Sequence, residues 1–379
     1  MGRVGLTAHI VIDIRVTQGG YPGIGRATEG LVRALLSSPG PHRFSLLYHA
    51  STPAPAAIVA ATHPPHRLLP IASALRSPRD QLETPLRLHQ ARADLYHATY
   101  YATALRAGIP TVLTVYDLIP ERYPRYWSFL EAQVIRRWLR LATHWADQVV
   151  VPSDATRADL MVLYGVEATR LTVAPLAVDD WLMAPERERP DQMDERPFFL
   201  CVCTNKPHKN LPRLVRAFHR FAARAASPPD LVLAGGWDPR YPEAMVAAAE
   251  LFPGLPSTAP TVRFIHAPTD SQLRWLYRHA ASFVFPSQYE GFGLPVLEAM
   301  RAGLPVAASH TPAVVEVSGD AALLFDPQCE DEMADALARL IADRELAARL
   351  AEAGRSRSAR FTWQATAART GEAYEAALC

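Results

Sequence analysis

Short apolar runs alternate with amphipathic stretches along most of this chain. In the first half, runs with the length of buried strands occupy residues 9–14, 44–48, 95–98, 111–116, 149–151 and 171–174. In the second half, similar runs occupy residues 198–203, 231–234, 262–265, 281–285 and 306–309. Helical spacing appears between and after them, at residues 25–36, 79–90, 129–146, 155–164, 331–342, 345–354 and 364–378. Strands that alternate with helices in this way predict parallel sheets covered by helices, an α/β fold.

The alternation is interrupted between residues 179 and 196, where charged residues and prolines dominate. A chain of 379 residues is also longer than one hydrophobic core usually supports. We therefore predict two Rossmann-like domains, residues 1–178 and 197–361, joined by a linker at residues 179–196.

The segment Glu290-Gly-Phe-Gly-Leu-Pro-Val-Leu-Glu298 combines two carboxylates with a glycine-rich turn. A predicted strand precedes it, and Pro295 stands where a helix would begin. The backbone N–H groups and the dipole at such a helix start favour anions, and glycines let a ligand approach the backbone closely. Glu298, about one turn into the helix, would point back toward the same pocket and accept hydrogen bonds from two hydroxyl groups. A phosphate site beside a receptor for a diol is what a sugar nucleotide requires.

This segment supplies a predicted ligand-binding set: Gly291, Phe292, Gly293, Leu294 and Glu298. The alternative is a short crossover helix that follows a glycine turn and carries two solvated glutamates. A lone Gly-x-Gly would favour that alternative, but the strands on both sides of the segment favour a functional site.

Lysine is rare in this chain. Of its 39 lysines and arginines, only Lys206 and Lys209 are lysines. Both lie in Thr204-Asn-Lys-Pro-His-Lys-Asn210, directly after the predicted strand at residues 198–203. A compact ammonium group is a good partner for a pyrophosphate where space is limited. We predict that both lysines bind phosphate, and the alternative is chance placement on a solvated loop.

Three features of the first half also point to ligand contacts. Gly23 and Gly25 follow the first strand in Gln18-Gly-Gly-Tyr-Pro-Gly-Ile-Gly-Arg26, but the third glycine of the dinucleotide-binding fingerprint is replaced by Thr28. His97 and Asp117 stand at the carboxyl ends of predicted strands, where doubly wound folds gather their ligand sites. For His97, a structural role and a ligand contact remain equally open; for Asp117, we favour a functional role.

These motifs resemble the signatures of retaining glycosyltransferases of family 4, which have the two-domain GT-B fold. The segment from Glu290 to Glu298 resembles the E-x7-E signature of that family. Lys209 resembles the lysine of its phosphate-binding element, with His208 where an arginine is usual. Residues 116–120, Tyr-Asp-Leu-Ile-Pro, resemble its His-Asp-Leu-Ile-Pro element, with Tyr116 in place of the histidine.

The resemblance implies specific roles for these residues. Glu298 would hold the ribose of the donor, and Glu290 would lie near the donor sugar. Gly23 and Gly25 would lie near the donor phosphates and the acceptor. For Asp117, the functional role that we favour is to orient the acceptor hydroxyl. As in GT-B relatives, the last helix, residues 362–379, is expected to cross back onto the first domain, and the two domains are expected to face a central cleft.

The same resemblance implies transfer with retention of configuration, by front-face attack in which the leaving phosphate takes the proton of the acceptor. Glu290 as a covalent nucleophile is the weaker alternative. The Asp-Leu-Ile-Pro element resembles bacterial transferases of O-antigen and other surface polysaccharides, which often use GDP-mannose. We therefore expect transfer of a hexose, with mannose from GDP-mannose favoured, to a glycan or lipid-linked acceptor. A UDP-sugar-dependent transferase of the same family and a catalytically silent nucleotide-sugar-binding subunit remain as alternatives.

Composition narrows the class of protein further. A formal net charge of +1 gives no broad positive field for nucleic acid, so we expect no nucleic-acid partner. Arg3, His9 and Asp13 interrupt the segment where a signal peptide needs an apolar core, and no apolar run is long enough to span a bilayer, so a cytoplasmic location is expected. The four cysteines lack metal-site spacing and no Asp-x-Asp stands near a strand end, so no metal cofactor is expected.

One helical segment leaves the question of a membrane open. Apolar residues recur at helical spacing at Leu130, Val134, Trp138, Leu141 and Trp145, with arginines at 136, 137 and 140 off that stripe. A basic aromatic helix can lie on an anionic membrane, and here this would be peripheral contact with the inner face of the cytoplasmic membrane. A helix that packs on the core and exposes an arginine face is an alternative that is at least as strong.

Overall fold

The computed structural model describes residues 7–19, 22–38, 40–253 and 261–379. The chain divides into two compact units, which are described separately. Unit 1 comprises Met1–Ala177 together with Phe361–Cys379, and unit 2 comprises the continuous segment Val178–Arg360.

The described part of unit 1 contains a parallel sheet in the order β3-β2-β1-β4-β5-β6-β7. Its strands are β1 (His9–Asp13), β2 (Arg43–His49), β3 (Arg67–Ile71), β4 (Leu95–Ala98), β5 (Thr111–Thr114), β6 (Gln148–Val151) and β7 (Leu171–Val173). Its helices are α1 (Pro22–Ser37), α2 (Ala56–Ala61), α3 (Asp80–Ala91), α4 (Ile119–Arg122), α5 (Phe129–Trp145), α6 (Asp154–Tyr164) and, from the C-terminal segment, the helix Trp363–Leu378.

Helices cover both faces of this sheet because successive strand side chains point to opposite sides. In β1, Val11 belongs to a core that includes Leu88 of α3 and Leu139 of α5. Its neighbours Ile10 and Ile12 belong to the opposite core, which also includes residues of α1 and of the helix Trp363–Leu378. The C-terminal segment therefore packs within unit 1.

The described part of unit 2 contains a second parallel sheet, in the order β10-β9-β8-β11-β12-β13. Its strands are β8 (Phe198–Val202), β9 (Asp230–Gly235), β10 (Val262–His266), β11 (Ser282–Phe285), β12 (Val306–Ser309) and β13 (Leu323–Phe325). Its helices are α7 (Leu211–Ala222), α8 (Glu243–Leu251), α9 (Asp270–His279), α10 (Leu294–Arg301), α11 (Pro312–Ser318), α12 (Glu330–Ala342) and α13 (Arg344–Ser358). The C-terminal helix of unit 1, Trp363–Leu378, is therefore numbered α14.

The segment expected to be a linker, residues 179–196, is held along unit 2. Arg278 donates to the carbonyl oxygens of Met183 and Ala184, and the backbone N–H of Arg187 donates to Ser271 Oγ at 2.8 Å. Further along, Arg263 forms an ion pair with Asp194 at 2.6 Å. These contacts tie the segment to α9 and β10, so it belongs to unit 2.

The predicted stripe on α5 flanks its buried face: Trp138 is half-buried against the core, but the first two residues of the stripe face solvent. Leu130 and Val134 are 74% and 63% exposed, whereas Ile135 and Leu139 are buried. Ala132 and Ala142 complete the buried stripe. Small residues contribute little to an apolar periodicity, and for that reason the sequence pattern placed the core face of this helix about 100° away from where it lies.

Candidate functional site

The strand order of unit 2 defines a topological switch point. From β8 the chain first proceeds outward to β9 and β10, and it then returns to β11, β12 and β13 on the other side of β8. The loops that follow β8 and β11 leave the sheet at its carboxyl edge on either side of this point. Open α/β sheets bind ligands in the crevice at such a point.

Lys209 and Glu290 join the two loops at this crevice. Lys209 follows β8, Glu290 follows β11, and Lys209 Nζ lies 2.6 Å from Glu290 Oε1. The two side chains retain 15% and 11% of their exposure, so the pair is largely buried and still reachable by a ligand. Lys209 Nζ also lies 5.6 Å from the centre of the Phe285 ring. The only other lysine, Lys206, is half-buried in the same loop.

Two asparagines fix the shape of the lysine loop. Asn205 donates to the carbonyl oxygens of Asp238 and Tyr241 at 2.8 and 2.7 Å, which ties this loop to the one after β9. Asn210 has a φ of 59°, a left-handed conformation that asparagine tolerates, and it donates to the carbonyl oxygen of Pro286 at 3.1 Å. The loops after β8, β9 and β11 therefore form one rigid framework around Lys209 and Glu290.

His208, which stands where the family usually has an arginine, does not supply a positive charge. The residue is 1% exposed, and burial, reinforced by the charges of Lys209 and Lys206, lowers the pKa of its imidazole to about 2. Its backbone carbonyl oxygen instead accepts the N–H of Gln288 at 2.8 Å. His208 thus belongs to the framework, and the positive charge of the loop rests on the two lysines.

The glycine turn leads directly into α10. Gly293 has a φ of 104°, which side chains other than glycine rarely adopt, and α10 begins at Leu294. Gly291 and Phe292 are buried beside this turn, and Leu294 is half-buried. The first N–H groups of α10 therefore lie in the same segment as Glu290, as the sequence predicted.

Glu298 lies one turn into α10 and is 6% exposed. Tyr277, a fully buried residue of α9, donates its hydroxyl hydrogen to Glu298 Oε2 at 2.7 Å. This bond fixes the orientation of the carboxylate. Tyr277 is a positioning residue that sequence reasoning missed, because a tyrosine at a core position of an amphipathic helix carries no local signal.

In unit 1, His97 is a structural residue in this structure. It is 0% exposed, and its Nδ1 and Nε2 atoms lie 2.8 Å from Tyr374 Oη and Thr114 Oγ1. Burial lowers the pKa of its imidazole to about 3. Both ring nitrogens are engaged inside the core, so of the two alternatives the geometry favours the structural one.

Asp117 and Tyr116 follow β5. Asp117 is half-buried and its Oδ1 accepts the N–H of Ile119 at 2.9 Å, so it orders the start of α4. Tyr116 is 9% exposed, its Oη lies 3.2 Å from Thr28 Oγ1, and burial raises its pKa to about 12. The tyrosine thus packs inward against α1, and the role of Asp117 in catalysis stays a prediction.

The helix predicted to start at residue 25 begins at Pro22, so Gly23 and Gly25 both lie in the first turn of α1. Gly23 is exposed, and a Cβ added there would meet no atom within 4 Å. At Gly25, the nearest atom to an added Cβ is Thr17 Cα at 3.6 Å. Neither glycine is required by the backbone around it. Residues 20 and 21 of the same motif lie outside the described residues.

The described residues contain neither a cluster suited to a metal ion nor a helix suited to cross a membrane. Among residues 7–19, 22–38, 40–253 and 261–379, no group of three or more His, Cys, Asp or Glu side chains is arranged to hold a metal ion. Within the same ranges, no helix combines the length and the apolar character needed to cross a bilayer.

Comparison with known proteins shows which kinds of domain the two units resemble. Residues 184–357 match the family model described as "Glycosyl transferases group 1". Residues 21–182 match the model described as "Glycosyltransferase Family 4". Together the two models cover most of the chain. The chain is therefore a glycosyltransferase that contains these two domains.

Individual relatives agree with this assignment. O-antigen chain mannosyltransferase B of Escherichia coli is 27% identical over 275 residues, which are 70% of each protein. The MMP alpha-(1->4)-mannosyltransferase of Mycolicibacterium hassiacum is 29% identical over 72% of this chain and 67% of that protein. HepE of Anabaena, solved with UDP-glucose, superposes with a TM-score of 0.70 at 19% identity, over 97% of this chain and 99% of its own. The predicted GT-B fold class is thereby confirmed for this glycosyltransferase.

Proposed function

We propose that this glycosyltransferase is a retaining, metal-independent hexosyltransferase that moves mannose from GDP-mannose to a glycan or lipid-linked acceptor in surface polysaccharide assembly. The observation that carries the proposal is the Lys209–Glu290 pair at the switch point of unit 2. A cation that can bind a diphosphate there adjoins a carboxylate that can face the sugar. The N-terminus of α10, in the same segment as Glu290, adds further anion stabilisation.

In this proposal the protein acts mainly through position and charge. The bond from the anomeric carbon of the sugar to the phosphate oxygen breaks, and the negative charge that develops on the phosphate is stabilised by Lys209, Lys206 and the first N–H groups of α10. The acceptor hydroxyl oxygen forms the new bond on the same face of the sugar, and its proton passes to the leaving phosphate. Glu290 faces the positive charge that develops on the sugar, and Glu298 accepts hydrogen bonds from hydroxyl groups of the ribose.

No bridging metal is required in this scheme. The lysines and the helix start already offer positive charge to the diphosphate, and they lie on loops that a fixed framework supports. Preorganised charge of this kind needs no reorganisation during the reaction. We therefore propose that the enzyme works without a divalent cation.

The choice of mannose rests on two curated relatives, which are named as mannosyltransferases. The name of the first also specifies the O-antigen chain. A UDP-linked donor is the second candidate, because HepE was solved with UDP-glucose. A silent nucleotide-sugar-binding subunit is the third, because His208 and Tyr116, which differ from the family motifs, are both buried.

Thermal unfolding with GDP, UDP, ADP and NAD, each with and without EDTA, tests the donor. A ligand at about 100 times its Kd stabilises the protein by about 2.7 kcal/mol, which gives a clear rise in Tm. We expect a rise with GDP that EDTA does not change. A rise with UDP alone would select the second donor, and a rise with NAD alone would overturn the proposal.

Transfer itself is tested with radiolabelled GDP-mannose and a panel of glycan and lipid-linked acceptors. We expect label in the acceptor fraction, with the new linkage in the same anomeric configuration as the donor. Nucleotide binding without transfer to any acceptor would support the silent subunit instead. An inverted anomeric configuration in the product would remove the retaining mechanism.

A further inference from the structure

The first half of α5 exposes large apolar side chains to solvent. Phe129, Leu130 and Val134 are 76%, 74% and 63% exposed. Leu130 and Val134 are four residues apart, so they lie on one side of the helix, and Phe129 adjoins Leu130 at its start. Single exposed apolar residues are common, but a cluster on one helix face indicates an interaction surface.

These three side chains are not displaced members of the core. The helix already buries Ala132, Ile135, Leu139 and Ala142 against the sheet. Its N-terminus is also complete, because Ser128 and Glu131 form a reciprocal capping box. Phe129, Leu130 and Val134 therefore belong to a stable helix, but their side chains contribute nothing to the packing of unit 1.

The second half of the same exposed face is basic. Arg137 is exposed and follows Val134 by three residues, and Arg140 and His144 are exposed one and two turns further on. Arg140 lies over the ring of Tyr164, 5.2 Å from its centre, which holds the guanidinium in a defined place. Arg125, just before the helix, is exposed as well. We call Phe129, Leu130, Val134, Arg137 and Arg140 the α5 face.

We propose that the α5 face docks unit 1 onto a bilayer surface that contains anionic phospholipids. An apolar end followed by a basic end on one exposed helix face matches the two layers of such a surface. Phe129, Leu130 and Val134 enter the boundary between headgroups and acyl chains, while Arg137 and Arg140 lie against lipid phosphates. The positive charge of the face favours an anionic membrane over an apolar protein partner.

Cosedimentation with lipid vesicles, in the absence of nucleotide, tests the proposal on the full chain. We expect binding to vesicles of phosphatidylglycerol and phosphatidylcholine that is at least tenfold stronger than to phosphatidylcholine alone, and that weakens as salt is raised. The double substitution Leu130→Asp with Val134→Asp is expected to reduce binding at least tenfold. Arg137→Gln is expected to reduce binding to the anionic vesicles by about fivefold and to leave binding to phosphatidylcholine unchanged.

A matched control lies on α6 of the same unit, where Met161 and Val162 are 41% and 80% exposed. Met161→Asp with Val162→Asp adds the same two charges at another exposed apolar pair and is expected to leave vesicle binding unchanged. Equal loss in both double variants would overturn the proposal, as would a wild-type chain that ignores anionic vesicles. A wild-type dimer that the α5 double variant converts to a monomer would assign the face to a second copy instead.

The nucleotide-dependent rise in Tm is measured on the same variants and is expected to be unchanged in all of them. The unfolding transition of unit 1, which contains both α5 and α6, shows whether each variant is folded. The GDP-dependent rise separates failure of membrane docking from failure of the proposed transferase activity.

Discussion

Lys209 and Glu290 neutralise each other at 2.6 Å, so the removal of one leaves the other as an uncompensated charge in the crevice. Lys209→Ala leaves a carboxylate where the diphosphate is proposed to bind. We expect GDP affinity to fall by at least tenfold, because a charge-assisted hydrogen bond contributes about 1.5–3 kcal/mol. Glu290→Gln removes a competitor for the ammonium group, so we expect GDP affinity to be unchanged or higher while transfer is lost. Isothermal titration with GDP measures both.

The double variant is the control for this pair. If repulsion by Glu290 accounts for part of the loss in Lys209→Ala, adding Glu290→Gln should restore part of the GDP affinity. Equal weakening of GDP binding by Glu290→Gln and Lys209→Ala would contradict the separate roles proposed for the two side chains.

His97 makes the stability of unit 1 depend on pH. In the folded protein, burial lowers its pKa to about 3, whereas the unfolded chain takes up a proton below about 6.5. Between these values the unfolded state binds more protons, so the free energy of unfolding falls as pH falls from 6.5 toward 3. Above pH 6.5 the imidazole is neutral in both the folded and the unfolded state, so His97 no longer makes the free energy of unfolding depend on pH. His208, with a pKa lowered to about 2, acts in the same direction in unit 2.

We expect His97→Gln to be less stable than the wild type at pH 7, because the contacts to Tyr374 and Thr114 are disturbed. Between pH 6 and pH 4, however, its stability should fall less steeply, by about 1.4 kcal/mol per pH unit for the one proton no longer taken up. Urea unfolding across this range measures both slopes. Parallel slopes in the variant and the wild type would show that His97 is not kept neutral.

At the scale of elements, the contact between α1 and α14 is tight at one glycine. A Cβ added at Gly30 would lie 2.2 Å from Cε2 of Trp363, so the indole would have to move. We expect Gly30→Ala to destabilise unit 1 by about 1–3 kcal/mol, since overpacking forces side chains out of their preferred positions. Thermal unfolding measures the change.

Gly371 in α14 provides the matched control for Gly30. A Cβ added there meets nothing within 4 Å, so Gly371→Ala changes helix propensity alone and should stabilise by up to about 1 kcal/mol. Equal effects of the two alanine substitutions would show that α14 does not press against α1 as described.

Elements with an apolar periodicity of their own could be predicted from the sequence. Strands such as β8 and β11 were predicted because each is a continuous apolar run. Among the edge strands of the two described sheets, β7 and β10 were predicted, whereas β3 and β13 were missed. β3 contains Pro70 and is mostly half-exposed, and β13 is only three residues long. Edge strands bury less side-chain surface, so their composition resembles that of a loop.

The site was predictable only where one short segment contains both the turn and the charge. Glu290, Gly293 and Lys209 lie where their motifs placed them, at strand ends and helix starts. Local sequence could not show that Tyr277 holds Glu298, because the two residues lie on different helices. Nor could it show that His208 is buried, because burial depends on how the loops after β8 and β11 pack together.

The two units of the whole molecule differ in how the chain completes them. Unit 2 is one continuous segment, Val178–Arg360, with its own sheet and core. Unit 1 is discontinuous, because Phe361–Cys379 returns to it after unit 2 is finished. Tyr374 of this returning segment is 0% exposed and reaches His97 in β4, so unit 1 lacks part of its core until α14 is in place.

We therefore expect a chain that ends at residue 360 to separate the behaviour of the two units. Unit 1 should lose its cooperative unfolding transition, because the core shared by β1, α1 and α14 would be open to solvent. Unit 2 should keep its transition, and it should still be stabilised by GDP, since Lys206, Lys209, Glu290 and Glu298 all lie within Val178–Arg360. Calorimetry with and without GDP distinguishes the two transitions, and the isolated segment 178–360 is the control that should reproduce the second. Loss of the GDP-dependent transition from both truncated chains would show that unit 1 is needed for the donor site.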